Sequence, residues 1–191
     1  MIQPLSDNDL LLATRSGDDL AFRTLVERYE SAVAGVVIGM LGPGADADDV
    51  GQETFIRFHR APDQFRGDAT LGTYLRRIAM NLSLNALKRR KRFHWRLLSR
   101  DAPASAPIEP PVEAYDPERT ERQDMVRWAV GALSETHRPV VVLRLLEERS
   151  TSETAEILQI PPGTVMSRLS RGIAELKRLL APYMKEGFDA S

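Results

Sequence analysis

Ser150 to Leu180, STSETAEILQIPPGTVMSRLSRGIAELKRLL, carries the pattern that decides the fold: two helices broken by a short turn. Ser150 followed three residues later by Glu153 is a capping-box start, because each side chain can satisfy a backbone N–H that lacks a partner in the first turn. Ala155, Ile157 and Leu158 supply the buried side of this first helix. Pro161, Pro162 and Gly163 stop it and redirect the chain. In the second helix Val165, Leu169, Ile173, Leu176 and Leu180 recur at helical spacing and predict a core-facing stripe. Thr164, Ser167, Arg168 and Arg171 fall on the opposite side. Two guanidinium groups that can fork onto guanine edges or phosphates, with two hydroxyls beside them, are what a major groove would meet. The stretch is expected to be a helix-turn-helix, and DNA its partner.

Upstream of it, Ser134 can cap an apolar helix, although Pro139 interrupts the pattern and shifts the start later. Asp116-Pro117 makes an N-cap and first-turn pair for a helix bearing Met125, Trp128 and Ala129. Ser99 to Glu118, SRDAPASAPIEPPVEAYDPE, holds five prolines and five acids, too little apolar content to offset the entropy of packing. It reads as a flexible, extended linker that lets the units on either side move independently. The first unit is helical throughout. Ser6 caps a short helix, and Asp18 starts a longer one with Phe22, Leu25, Val26, Tyr29, Val33, Val37 and Met40 as its apolar stripe. Gly42-Pro43-Gly44 ends that helix, and Asp46 can cap a third, with Val50, Thr54, Phe55 and Phe58 inward, closing before Pro62. Thr70 can cap a fourth, bearing Leu71, Tyr74, Leu75, Ile78, Leu82 and Ala86. No alternating strand pattern is found. The expected fold is all-α: a helical domain over 1–98, the Pro-rich linker over 99–118, and a C-terminal helix-turn-helix domain over 119–191.

Composition narrows the function. With 191 residues, 42% apolar and 28% charged, the chain can bury real cores. The absence of cysteine excludes disulfides, thiolate metal sites and cysteine nucleophiles, and the start MIQPLSDNDLLL has neither a basic leader nor a long apolar run. No apolar stretch reaches the roughly 18 residues that span a bilayer, so a cytoplasmic location without membrane insertion is expected. The net charge of −1 conceals segregation: nine Lys or Arg and no acid from Arg76 to Arg100, four acids and no base from Ala45 to Glu53. One surface suits nucleic acid, the other a protein partner. On the fourth helix Arg77, Asn81, Asn85, Lys88 and Arg92 form a stripe turned roughly 90° from the apolar one. Before it lies Asp63 to Ala69, a polar loop with Phe65 and Gly67 that could hold an extruded base, though Phe65 by itself reads first as core. Little chemistry is on offer. His59, His94 and His137 are scattered and none sits in a Glu-x-x-His pair. The loose GxGxxA run at Gly42 follows a helix, not a strand, and Asp46, Asp48 and Asp49 lack the register of a calcium loop. No enzyme activity, metal or cofactor is expected.

Taken together, four blocks resemble bacterial sigma factors of the extracytoplasmic-function (ECF) group: DADDVGQETFIRFHRA (46–61), FRGDATLGTYLRRIAMNLSLNALKRRKR (65–92), ALSETHRPVVVLRLLEERSTSETAEIL (132–158) and IPPGTVMSRLSRGIAELK (160–177). Their order, with a Pro-rich linker between the pairs, is more specific than any one block. The resemblance implies that the chain binds core RNA polymerase and directs promoter recognition, strand opening and initiation. It implies that Asp46, Asp48, Asp49, Gln52, Glu53 and Phe55 belong to the polymerase-docking helix, whose carboxylates would meet basic residues. It assigns the minus-ten element to Phe65, Arg66, Gly67, Asp68 and Tyr74 in the base-capturing loop and to Arg77, Asn81, Asn85, Lys88, Arg89 and Arg92 on the basic helix. Thr164, Ser167, Arg168 and Arg171 match the minus-thirty-five contacts. The acidic linker would thread through polymerase, its charge mimicking the nucleic acid that later displaces it. An anti-sigma protein is an implied partner, and no regulatory domain is expected after the recognition helix.

The chain departs from the group at Gln159, where glycine is usual, so a left-handed non-glycine costing about 1–2 kcal/mol is expected there. Thr154 replaces a usual isoleucine, Met166 a usual basic residue and Tyr74 a frequent tryptophan. The rival reading is a stand-alone helix-turn-helix regulator binding duplex DNA as a dimer at paired half-sites. It accounts for the C-terminal half and leaves the acidic and basic helices unexplained.

Overall fold

A computed structural model describes residues 5–101 and 121–186, and the linker residues 102–118 and the Asp116-Pro117 cap lie outside them. Every regular element among the described residues is helical: α1 (Asp7–Arg15), α2 (Asp19–Leu41), α3 (Ala45–Arg60), a single 3₁₀ turn (Pro62–Gln64), α4 (Leu71–Asp101), α5 (Glu121–Ala132), α6 (Arg138–Val141), α7 (Thr151–Leu158) and α8 (Pro162–Glu186).

The caps explain most starts. Ser6 and Asp9 close a full capping box on α1, and Asp18 accepts from the N–H groups of Leu20 and Ala21 at α2. Thr70 Oγ1 accepts from Thr73 N–H at 3.1 Å to begin α4. At α3 the expected Asp46 cap is not formed. Gly44 occupies the N-cap, the helix begins at Ala45, and Asp46 sits inside the first turn, where its charge complements the helix dipole. Ser134 does not cap α6 either. The helix starts at Arg138 with Pro139 in its first turn, where the missing N–H costs nothing. It then runs on as a π-helical turn from Val142 to Leu146. Ser134 N–H instead donates to Glu175 on α8 at 3.2 Å, and His137 Nδ1 lies 2.7 Å from the same carboxylate. Burial pushes the Glu175 carboxyl up, but the bonds from His137 and Ser134 outweigh it and hold the group below its usual range.

In the first unit α2, α3 and α4 enclose a core centred on Leu25, Val33, Val37, Met40, Phe58 and Leu75. Asp7 of α1 accepts from Arg28 at 2.5 Å and from the Tyr29 hydroxyl, whose pKa burial and the neighbouring carboxylate raise to about 12. Basic residues then carry α4 past its core contacts, and the helix continues to Asp101, three residues into the stretch expected to be linker.

The two units do not stand apart, as an extended linker would allow. They share one apolar core, because Val141, Val142, Leu143 and Ile157 of the second unit pack with the first. The approach is close at Gly35 and Gly39, one turn apart on α2. A Cβ on Gly39 would lie 2.7 Å from Val142 Cγ1, and one on Gly35 would meet the Glu147 carboxylate. Arg138 Nη1 donates to Met40 O at 3.1 Å, and Glu147 pairs with Arg76 of α4 at 3.9 Å. Both members of that pair are largely buried. Burial shifts the Arg76 pKa down and the Glu147 pKa up, so desolvation exceeds what the pair returns and apolar contact holds the units together.

Candidate nucleic-acid and polymerase interfaces

The first candidate surface is the outer face of α3. Asp48, Asp49 and Gln52 are exposed and Glu53 is half-buried, with its carboxylate 2.8 Å from Arg57 Nε in an i,i+4 pair. Asp46 is held at 2.5 Å by Arg90, which also donates to Leu41 O, so this carboxylate braces α3 against α4. Phe55 is half-buried against the core and lines a shallow groove with Phe22, Val26 and Ile56 between α2 and α3. Ile56, 42% exposed, stands three residues after Glu53, four after Gln52 and seven after Asp49. It is an apolar centre on the acid-and-amide face, absent from the residues singled out in the sequence. The i+3, i+4, i+7 spacing was the signal that could have found it.

The second surface joins the loop after α3 to α4. Phe65 is only 8% exposed, its ring centroid 5.3 Å from Tyr74, which in turn meets Phe58 at 6.4 Å. Its ring is a core member here and offers no face to a base; the reason is that the loop needs an apolar anchor where it turns into α4. Arg15 of α1, unforeseen in the sequence, grips the loop: it donates to Phe65 O at 2.6 Å and Pro62 O at 3.2 Å and pairs with Asp63. A guanidinium fork bridging a 50-residue separation has no local signature. Thus anchored, Arg66, Gly67 and Asp68 project into solvent, with Gly67 in the left-handed region at φ +82°. Tyr74 is half-buried, and burial raises its pKa, keeping its hydroxyl neutral.

Along α4 the expected stripe forms. Asn81, Asn85, Lys88, Arg89 and Arg92 are exposed, while Leu71, Leu75, Ala79 and Leu82 are buried on the other side. Arg77 is the exception, since it is half-buried and donates to Glu156 O of α7 at 3.1 Å. In the packed arrangement it holds the second unit.

The third surface is the helix-turn-helix. Ser150 and Glu153 form both bonds of the capping box, and those bonds hold the Glu153 carboxyl below its usual range. Gln159 closes α7 at φ 54°, ψ 45°, left-handed as expected. Thr154, in the place of an isoleucine, is fully buried and its Oγ1 lacks a hydrogen bond. On α8, Val165 is fully buried and Leu169 packs beside it, whereas Leu169 and Ile173 also border an open apolar groove with Met166 and Ala174. Of the stripe expected to face the core, Val165 is buried and Leu169, Ile173, Leu176 and Leu180 are partly buried, Leu169 and Leu176 packing against core residues. Ser167 and Arg171 are exposed, and Thr164 and Arg168 half-buried, on one side of the helix. Among the described residues no group of three or more His, Asp or Glu could hold a metal, and no helix is long and apolar enough to cross a membrane.

An acidic exposed face on α3, a basic one on α4 behind an anchored loop, and a helix-turn-helix lie on one chain, a combination that suits a protein meeting both DNA and a protein partner. Residues 25–93 match the family model of Sigma-70 region 2, and residues 123–176 that of Sigma-70, region 4. The RNA polymerase sigma-H factor of Pseudomonas aeruginosa is 32% identical over 97% of this chain and 100% of its own length. The ECF RNA polymerase sigma-E factor of Escherichia coli K12 is 34% identical with the same coverage. Among solved structures, CnrH in complex with the cytosolic domain of CnrY superposes with a TM-score of 0.65 at 28% identity, covering 92% of this chain and 97% of that one. The sigma factor RpoE of Bartonella quintana, solved with the anti-sigma factor NepR, shares the fold at a TM-score of 0.64 and 21% identity, over 84% of this chain and 96% of its own. The chain belongs to the ECF group of RNA polymerase sigma factors.

Proposed function

We propose that this chain is a promoter-specificity subunit: it binds core RNA polymerase, recognises two promoter elements, holds the opened strand and performs no covalent chemistry itself. The observation that carries this is the full-length relation to named sigma factors, combined with oppositely charged exposed faces on adjacent helices α3 and α4. Asp48, Asp49, Gln52 and Glu53 dock on basic residues of polymerase, with Phe55 supporting the helix from beneath and Asp46 bracing it. The loop at Arg66, Gly67 and Asp68 takes an extruded base of the minus-ten element, with Phe65 packed on Tyr74 anchoring the loop from beneath. Asn81, Asn85, Lys88, Arg89 and Arg92 hold the strand, joined by Arg77 once it leaves α7. Thr164, Ser167, Arg168 and Arg171 read the minus-thirty-five element in the major groove. The domain limits are 1–98 and 119–191, and the protein acts in the cytoplasm. The structural relatives were solved with CnrY and with an anti-sigma factor. An anti-sigma protein is the corresponding partner here.

Multi-round transcription with core polymerase on genomic fragments tests the reading. Discrete transcripts starting a fixed distance from two shared motifs, only when the chain is added, are expected. Shifted duplex DNA without polymerase, and no transcripts, would replace it with a stand-alone regulator.

A further inference from the structure

The most exposed large apolar side chain among the described residues is Trp95, 72% exposed near the end of α4. Packing does not explain it. Among the described residues, α4 pairs with its neighbours a turn earlier, Arg90 with Asp46 and Lys91 with Glu135. An indole this exposed forgoes most of the burial that normally stabilises the side chain.

Its position on the helix is specific. Eighteen residues separate Arg77 from Trp95, which is five whole turns at 3.6 residues each, so the two lie on one line along the helix. Lys88 is about 20° from that line and Arg92 about 60°. The exposed indole therefore prolongs the line that runs from Arg77, held against α7, past exposed Lys88 and Arg92, and it lies roughly 27 Å from Arg77. No acid occurs anywhere from Arg76 to Arg100. A ligand that matches this surface is a polyanion with flat faces, which is nucleic acid, and an indole can stack only on a base that is not paired.

We propose that Trp95 is a base-stacking contact at the far end of the α4 stripe, taking an unpaired base of the opened promoter strand. The inference rests on the sigma-factor reading and adds to it a residue outside the motif blocks. At about 3.4 Å per stacked nucleotide, the line from Arg77 to Trp95 corresponds to roughly eight nucleotides.

The chain has two tryptophans, so Trp128→Phe leaves Trp95 as the only indole. That full-length variant is titrated with a 20-nucleotide oligothymidylate and, separately, with the oligothymidylate·oligodeoxyadenylate duplex. Saturable quenching by the single strand and little by the duplex is expected. Measured by the anisotropy of a fluorescein-labelled oligothymidylate, Trp95→Ala should weaken single-strand binding about five- to a hundredfold, with Trp95→Phe keeping most of it. Because Trp95 carries no charge, its removal should leave the salt slope of binding unchanged, whereas Lys88→Ala should lower that slope by about 1. Unquenched emission, or equal affinity of Trp95→Ala and its parent, would overturn the contact, as would quenching by the duplex alone. Transcription by the holoenzyme run in parallel separates the failures. A chain that directs initiation while Trp95 stays silent loses this contact only, and one that directs none loses the sigma-factor reading with it.

Discussion

Gly39 and Val142 offer a direct test of whether the two units pack on each other in solution. Gly39→Ala places a methyl group 2.7 Å from Val142 Cγ1 and 3.3 Å from Cγ2, against a fully buried residue. Such overpacking costs about 1–3 kcal/mol. The same change replaces a glycine inside α2 and returns about 1 kcal/mol of helix propensity, so the single variant should lose about 0–2 kcal/mol. Val142→Ala removes two buried carbons, worth about 0.8 kcal/mol each plus a cavity term, or about 2 kcal/mol. Combined, the new methyl enters the space the valine vacates. The clash disappears, the helix gain remains, and the double variant should lose only about 1 kcal/mol, a coupling of about 1–3 kcal/mol. Urea unfolding of the four full-length chains measures it. Additivity within about 0.5 kcal/mol would mean that the residues do not meet, and the packed arrangement would be refuted.

Gln159→Gly should stabilise the chain by about 0.5–1 kcal/mol, since relief of the left-handed conformation exceeds the added unfolded-state entropy, raising Tm by about 1–4 °C. A fall in Tm would argue against that backbone geometry. Two glutamates should give opposite pH dependence. The capping bonds hold Glu153 below its usual value of 4.5, so its contribution is present above that value and lost as pH falls through the lower folded one. Burial holds Glu147 above 4.5, so its contribution is present below that value and lost as pH rises through the higher folded one. Stability followed from about pH 3 to 7 should therefore change in opposite senses in Glu153→Gln and Glu147→Gln relative to the parent. Arg168→Ala with Arg171→Ala should weaken promoter binding by about 1–3 kcal/mol per lost base contact and leave core-polymerase affinity unchanged. Asp49→Lys with Glu53→Lys should do the reverse, and undiminished binding to core polymerase would remove α3 from the docking surface.

Local devices were legible because their signals lie within one turn of the residues they organise. The Ser150–Glu153 box, the Asp18 cap and the left-handed Gln159 are of this kind, and each is found where the sequence places it. Errors arose where a local signal had a competitor. Asp46 and Ser134 are good caps by residue type, but Gly44 already turns the chain two residues earlier, and Glu175 takes the Ser134 N–H from across the fold. Phe65, by contrast, reads first as core in the sequence and is found there, packed on Tyr74 and leaving the flanking Arg66, Gly67 and Asp68 outside.

The contact between the units was illegible for a different reason. Gly35 and Gly39 read, one at a time, as residues that weaken a 23-residue helix. Only their separation by four, which puts both on one face, marks a groove where another backbone can come close. Val142 and Glu147 enter that groove from a π-helical turn that no 3.6-residue pattern describes. The consequence reaches the stripe proposed to hold DNA, because the same packing sets Arg77 against the carbonyl of Glu156. Of the six candidate contacts on α4, five are open to solvent while the units are together, and the sixth, Arg77, is half-buried and donates to α7. How strongly the glycine groove holds Val142 therefore bears on how much of the stripe a strand can reach.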